Sequence, residues 1–352
     1  MSVRRGIILK KAVLIIGIIG CPIILSTSLY ADTLTFQKGD GGSYSETDDA
    51  TMVENTPATN YGGANRFFVR GGGWRRRNTV IKFPQIFGPN EGQIPLGSSI
   101  TSATLSLYCR RPSPATVDVY RVLEAWDELE CTWNNRRTGV AWSGPGCSPP
   151  SRSEALESSF VPDTIGKWYD IDITSACQAW SNGEANRGVV LIQEDPLNSD
   201  MSVFYSSDED TETTLRPKLT VVYIPKVSLS LSNHTFSFGT QPLNTWLDAQ
   251  STIITNDGSV NENFIITLSP FITTDGKTWA IGTENGDDKC CAQWSTDAGQ
   301  WNDISYYNTN FTIATNVPVG GEVTLYFKIQ TPKSTQSFNE YSSTLTVTAE
   351  EY

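Results

Sequence analysis

Single-residue alternation of apolar and polar side chains, broken by glycine, proline and asparagine, is the feature that most limits how this chain can fold. In the clearest run, Thr101–Cys109, the apolar residues Ala103, Leu105 and Leu107 share one face. A period of two is typical of a half-buried strand in an antiparallel sheet. Similar runs recur along most of the chain, and only Ser175–Asn182 is typical of a short helix. The sequence therefore predicts an all-β protein.

Length and arginine usage indicate two domains. The chain has 352 residues, which is enough for two ordinary domains. Its last arginine is Arg216, and Ile224–Lys226 contains a proline at a plausible boundary. We predict a jelly-roll-like β-sandwich over residues 32–225. Residues 226–352 contain about seven alternating runs, which is typical of a smaller immunoglobulin-like β-sandwich.

Residues 1–31 have the three-part pattern of a secretory signal peptide. A basic start precedes the uncharged apolar run Ala12–Leu25, and Ala31 offers a small residue for cleavage. The run is short for a membrane span, which needs about 20 residues. Two alternatives stay open: lipidation of Cys21 in a lipoprotein-like box, and an uncleaved N-terminal membrane anchor. We expect a secreted, extracellular protein with no membrane span after the signal is removed.

The net charge of the chain argues against nucleic acid as a binding partner. The formal charge is −12, and residues 1–31 hold four cations and no anion, so the rest of the chain is more acidic still. Nucleic-acid binding needs a basic face, so we do not expect that partner.

Five short motifs follow one another in a distinctive order: Asp49–Val53, Asn60–Gly63, Val80–Phe83, Ala125–Glu128 and Thr132–Asn135. This order resembles the DNRLRE domain, the disaggregatase-related repeat grouped with carbohydrate-binding module family 96, over about residues 45–224. The resemblance implies a secreted β-sandwich that binds an acidic polysaccharide.

An arginine-rich segment is the sharpest binding hypothesis. Three glycines precede Trp74 and Arg75–Arg77, which predicts an exposed hairpin tip. Arginine can hold a carboxylate or sulfate through two hydrogen bonds. In the family pattern an arginine immediately precedes the strand that corresponds to Thr79–Phe83, whereas here Asn78 has that position. The alternative is a solvated run of charges. Further candidates for the same surface are Arg110, Arg111, Arg136 and Arg137.

The motif residues Trp126, Trp133, Asn134 and Asn135 allow two interpretations. In the structural one, the indoles are buried and pin a long loop to the sheet, while the asparagines bond backbone groups. In the functional one, the rings form a platform on which a sugar stacks. We favour the structural interpretation.

Cysteines outside the signal segment number six, and export would permit disulfides. The candidates in the first domain are Cys109, Cys131, Cys147 and Cys177; four cysteines allow three pairings, and we favour Cys131 with Cys147. A zinc site is the weaker alternative, because there is no Cys-x-x-Cys motif and His234 is the only histidine. Adjacent Cys290 and Cys291 are not expected to bond to each other, because a vicinal bridge is strained.

Catalytic and metal signals are weak. No Ser–His–Asp triad can be assembled with one histidine, and carboxylate pairs are common by chance in an acidic chain. We predict no cofactor, except a possible structural Ca²⁺ held by Asp49, Asp170 or Asp172. Three function hypotheses therefore stand: a non-catalytic binding protein for an anionic polysaccharide, a structural or adhesive envelope protein, and a polysaccharide lyase or hydrolase.

Overall fold

The computed structural model describes the backbone of residues 11–20, and residues 31–39, 44–72, 75–194 and 200–352 in full. The chain divides into two compact units, with the division between Pro225 and Lys226. Both units are built almost entirely from strands. The fold is therefore all-β, as the alternation predicts.

The N-terminal unit contains strands β2–β14 and one helix. The strands are β2 (Asp32–Gln37), β3 (Asp48–Val53), β4 (Arg66–Arg70), β5 (Arg77–Lys82), β6 (Ser99–Arg111), β7 (Val117–Val122), β8 (Asn135–Arg137), β9 (Val140–Ala141), β10 (Arg152–Phe160), β11 (Trp168–Asp172), β12 (Val189–Ile192), β13 (Met201–Tyr205) and β14 (Lys218–Ile224). The α-helix α1 spans Thr174–Ser181, and short 3₁₀ turns lie at Pro145–Cys147 and Thr213–Leu215.

Helix α1 begins one residue earlier than its sequence pattern predicts. The pattern predicts a start at Ser175, but Thr174 is the first helical residue, and its N–H donates to Asp172 Oδ1 at 2.9 Å. The carboxylate of Asp172 therefore does the capping, since it accepts a bond at the positive end of the helix.

One large sheet curls into two facing halves. Its order is β10-β7-β12-β5-β4-β13-β6-β14-β2, with β3 beside β5 and β11 beside β6. The halves are joined between β5 and β4 by the single pair Arg70–Arg77. Ile81 and Leu191 from one half share a buried core with Leu105 from the other. The result is a β-sandwich.

The C-terminal unit has its own sheet and core. Its strands are β15 (Leu229–Leu231), β16 (Thr235–Pro242), β17 (Gln250–Asn256), β18 (Glu262–Leu268), β19 (Phe271–Thr273), β20 (Thr278–Ile281), β21 (Lys289–Ser295), β22 (Asn302–Asp303), β23 (Phe311–Val317), β24 (Glu322–Gln330) and β25 (Tyr341–Glu351). Phe236, Phe264 and Phe327 lie fully buried in that core.

The apolar N-terminal segment also contributes a strand to this unit. Strand β1 (Lys11–Gly20) lies between β16, which it pairs antiparallel, and β25, which it pairs parallel. Signal cleavage after Ala31 would remove β1. Such processing stays a prediction, and Cys21 lies outside the described residues.

Candidate functional site

One sheet face of the N-terminal unit carries an unusual set of side chains. In the half formed by β4, β13, β6, β11 and β14, alternate residues such as Phe67, Phe204 and Leu107 enter the core. The residues between them point away from it. We call this surface the outer face and include Arg77, which lies at the adjoining end of β5 and reaches the Phe68 ring. The side chains that define it are Arg66, Phe68, Arg70, Arg77, Tyr108, Arg110, Arg111, Trp168, Tyr205 and Lys218.

The first part of the outer face is a phenyl ring between two arginines. The guanidinium carbon of Arg77 lies 4.9 Å from the centre of the Phe68 ring, and that of Arg66 lies 6.0 Å from it. Arg66 is exposed, whereas Phe68 and Arg77 are half-buried. Contacts of a guanidinium with an aromatic face stabilise this arrangement by about 0.5–1 kcal/mol each.

The second part extends the pattern across β13 and β6. The guanidinium carbon of Arg110 lies 5.2 Å from the ring centre of Tyr205, and the rings of Tyr205 and Tyr108 are 5.8 Å apart. Tyr108 meets Trp168 edge-on at 5.2 Å, and Lys218 Nζ lies 4.5 Å from the Trp168 ring. Three aromatic rings therefore form a row across neighbouring strands, with a cation at each end.

Two arginines on this face lack a carboxylate partner. Arg70 and Arg77 are opposite each other in the β4–β5 pair, and among the described residues no carboxylate lies within 4.0 Å of either. Nε of Arg70 is buried without a hydrogen-bond partner there. Burial, and then the nearby Arg70 charge, lowers the pKa of Arg77. An anion placed between the two guanidinium groups would relieve this repulsion.

The arginines expected at one hairpin tip are separated in the structure. Arg77 lies on the outer face with Arg110 and Arg111. A register shift in the β13–β6 pair brings Arg111 opposite Val203, where it is exposed, although it directly follows Arg110. Arg76 points elsewhere: its guanidinium bonds both carboxylate oxygens of Glu54, at 2.8 and 3.2 Å, and lies 5.1 Å from the Trp133 ring centre.

Arg75, the remaining member of the predicted tip, is exposed and has contacts of its own, while Trp74 lies outside the described residues. The structure therefore separates Arg76 from Arg77, and the binding role expected of Arg75–Arg77 stays a prediction. Consecutive residues of an extended chain face opposite ways, and Arg76 immediately precedes strand β5.

Sequence reasoning missed Arg66, Phe68, Arg70, Tyr205, Trp168 and Lys218. Alternation within Arg66–Arg70 already placed its two arginines and Phe68 on one face. The pairing of β4 with β13 and of β13 with β6, which adds the other residues, joins segments far apart in the chain.

The two motif tryptophans lie away from the outer face. Trp126 and Trp133 are 2% and 6% exposed, and with Trp142 they cover the outward side of β3 and β12 in the other half of the sandwich. Trp126 Nε1 donates to the carbonyl of Arg187 at 2.9 Å. Such buried indoles present no ring face to a sugar.

The two asparagines of the same motif bond through their backbones. Asn134 N–H donates to the Pro57 carbonyl at 3.1 Å, and Asn135 N–H to Thr132 Oγ1 at 3.0 Å. Beside them, Arg136 Nη1 donates to the Ala125 carbonyl at 2.8 Å. Arg137 lies 3.9 Å from Asp127 Oδ2. These contacts tie the loop to itself and to its neighbours.

The remaining motifs hold that loop against β3. The Asn60 side-chain amide donates to the carbonyls of Glu128 and Cys131, at 2.8 and 2.6 Å. Glu128 Oε1 accepts the Asp49 N–H at 2.7 Å, and Asp49 Oδ2 accepts the Ser207 N–H at 2.6 Å. Burial raises the pKa of Asp49 to about 8 and that of Glu128 to about 7. The motif order therefore corresponds to a structural junction.

The calcium candidates are not brought together. Asp49 is buried at this junction, whereas Asp170 and Asp172 lie exposed on β11. Asp170 Oδ1 accepts a bond from Ser106 Oγ at 2.5 Å, and Asp172 caps helix α1. Within the described part of the chain, no group of three or more acidic, histidine or cysteine side chains is placed to hold a metal ion.

All six described cysteines are free thiols in this structure. Cys131 and Cys147 lie in one small core with Trp133, and burial raises the pKa of both thiols. Cys109 and Cys177 belong to the main core instead. The predicted Cys131–Cys147 bridge is not formed here and stays a prediction for the oxidised protein.

The N-terminal unit is thus a β-sandwich with cationic and aromatic side chains on one sheet face. Residues 42–223 match the model of carbohydrate-binding module family 96. The match covers more than half of the chain, so the protein belongs to this family and has a carbohydrate-binding role.

Comparisons with curated proteins and with solved structures do not extend this assignment. No curated protein matches the chain. A solved structure of allantoicase is similar over 72% of this chain and 77% of its own length, with 9% sequence identity and a TM-score of 0.20. A likeness this low carries no argument about fold or activity. In the described residues, no helix is long and apolar enough to cross a membrane.

Proposed function

We propose that this chain is an exported, non-catalytic protein that binds an acidic polysaccharide on the outer face. The observation that carries the proposal is the Arg70–Arg77 pair beside Phe68, because it combines uncompensated positive charge with an aromatic ring. A uronate or sulfate group would bond the guanidinium groups, and the apolar side of the sugar ring would pack on Phe68, Tyr205 or Trp168.

Several features favour binding without a reaction. His234 is exposed in the C-terminal unit, far along the chain from the outer face. On strand β11, Asp170 and Asp172 are engaged by Ser106 and by the start of helix α1. The structural or adhesive role is the alternative, and it predicts no retention on any glycan.

The test is retention of the full chain on immobilised alginate, pectate and heparin at rising salt. We expect retention at low salt that weakens as salt screens the charges. Arg77→Gln removes a charge-assisted bond worth about 1.5–3 kcal/mol, so the affinity should fall roughly tenfold or more. Arg66→Gln, at an exposed position, should act the same way with little effect on folding.

Arg76→Gln is the matched control, because this neighbouring arginine binds Glu54 away from the outer face. Equal losses in Arg76→Gln and Arg77→Gln would place the site elsewhere. No retention on any acidic polymer would favour the structural role, and release of new reducing ends or unsaturated products would show a hydrolase or lyase.

A further inference from the structure

The C-terminal unit has an aromatic surface of its own. Lys328 Nζ lies 3.8 Å from the ring centre of Trp301 and 5.0 Å from that of Trp246. Trp246 is 40% exposed, and the other two side chains are half-buried. We call Trp246, Trp301, Lys328 and the adjoining Gln293 and Asp303 the indole patch.

Strands hold Lys328, Gln293 and Asp303 in place, and an isolated backbone bridge holds Trp246. Lys328 lies on β24 between Phe327 and Ile329, which are both buried, so its side chain points away from the core. Gln293 is its partner on β21, and Trp246 is bridged to Gln330 of β24. Little conformational entropy would be lost when a ligand binds a surface fixed in this way.

A tight turn positions the second indole. Asp297 Oδ1 accepts the N–H groups of Gly299 and Gln300, both at 2.8 Å, directly before Trp301. Strand β22 follows at once and pairs with β21. The backbone is therefore fixed on both sides of Trp301.

The charges of the patch cancel. Burial lowers the pKa of Lys328, and the neighbouring Asp303 acts in the opposite direction. Gln293 Nε2 donates to Asp303 Oδ1 at 2.7 Å. The rest of the unit has no arginine and more Asp and Glu than Lys. An anionic polymer would be repelled here, whereas an uncharged one would not.

We propose that the indole patch is a second binding site, specific for a neutral hexose polymer. The indole rings would stack on the C–H faces of pyranose rings, while Lys328, Gln293 and Asp303 would exchange hydrogen bonds with hydroxyl groups. The protein would then connect an acidic polysaccharide, held by the N-terminal unit, to a neutral one. This inference does not depend on the outer face being correct.

The experiment is affinity electrophoresis of the full chain in gels containing β-glucan, mannan or galactan. The protein used in this experiment carries Arg66→Gln and Arg77→Gln, so that the outer face contributes little to binding. We expect retardation by at least one neutral polymer, unchanged between low and high salt, because no ion pair is involved. Titration with soluble oligosaccharides of that polymer should change tryptophan fluorescence.

The combined change Trp246→Ala and Trp301→Ala should abolish the retardation. Lys328→Met keeps most of the apolar stem, so it serves as a second variant if the double change prevents folding; it should weaken the retardation several-fold. Tyr352→Ala is the control, since Tyr352 is 69% exposed in the same unit and outside the patch.

No retardation by any neutral polymer, or retardation that survives loss of both indoles in a folded protein, would overturn the second site. Retention of the unmodified chain on acidic polymers would be unaffected by that result, so the two proposals can fail separately.

Discussion

At the scale of single residues, neighbours in this chain differ sharply in their surroundings. Arg76 is paired with Glu54, whereas Arg77 lies beside another arginine. Gly62 lies against the backbone of Glu128, whereas Gly63 has room for a side chain. The same substitution at two adjacent positions therefore tests the surroundings of each residue, because the residue type and the neighbouring sequence are nearly the same in each pair.

Gly62→Ala should destabilise the N-terminal unit, because a Cβ at this position would lie 2.1 Å from the carbonyl oxygen of Glu128. We expect a loss of about 1–3 kcal/mol, typical of an overpacked site. Gly63→Ala, whose Cβ would meet only Leu129 at 3.9 Å, is the control and should change stability by about 0.5 kcal/mol or less. Urea unfolding measures both; equal effects would argue against the contact with Glu128.

The buried carboxyl groups predict a pH dependence of stability. Burial raises the pKa of Asp49 to about 8 and that of Glu128 to about 7, from ordinary values of 3.8 and 4.5. Because the folded state then binds protons more tightly than the unfolded state, protonation stabilises the fold. The free energy of unfolding should therefore fall as the pH rises from about 4 to about 8.

The same pH series on Asp49→Asn combined with Glu128→Gln isolates this effect. Both amides keep an oxygen that can accept the bonds from Ser207 and Asp49, but neither titrates. The fall in stability over this pH range should become smaller. Exposed Glu130, as Glu130→Gln, is the control and should leave the wild-type profile unchanged. An unaltered profile in the double variant would show that other groups, such as Glu262 with a raised pKa of about 7, dominate.

At the scale of elements, the two halves of the sandwich have different outward surfaces. The half containing β3, β5 and β12 is covered by the motif loop, which adds a second core around Trp126 and Trp133. The half containing β4, β13 and β6 leaves its cationic and aromatic residues accessible. The loop therefore stabilises one half, and the proposed binding surface lies on the other.

This separation predicts opposite effects for two tryptophans. Trp133→Ala should cost about 3–5 kcal/mol of stability, as for other large buried side chains, while the folded fraction keeps its affinity for acidic polymers. Trp168→Ala should weaken that affinity and cost less stability, because Trp168 is only half-buried and contacts Tyr108 and Lys218. Unfolding curves and retention assays on both variants at one temperature measure these effects. Loss of binding in Trp133→Ala alone would contradict the proposed binding surface.

At the scale of the whole molecule, the sequence was sufficient for the fold class but not for the site. Alternation is a local signal, so strands such as β6 and β14 are predictable from their own residues. The same signal separates Arg76 from Arg77, although composition alone suggests one cluster. The outer face depends on which distant strands pair and in which register, for example Arg66 with Tyr205. The register of that pairing depends on which residues of both strands become buried together. The sequence of one strand alone does not determine it.

The two units have separate cores, which predicts two unfolding transitions in calorimetry of the full chain. Trp279 belongs to the C-terminal core, where its ring stacks on Tyr341 at 4.1 Å and its Nε1 donates to Thr335 Oγ1 at 3.1 Å. Trp279→Ala should cost about 3–5 kcal/mol and lower only one transition. Gly62→Ala should lower only the other. If either variant moved both transitions together, the units would unfold as one cooperative body, and the cores would not be independent.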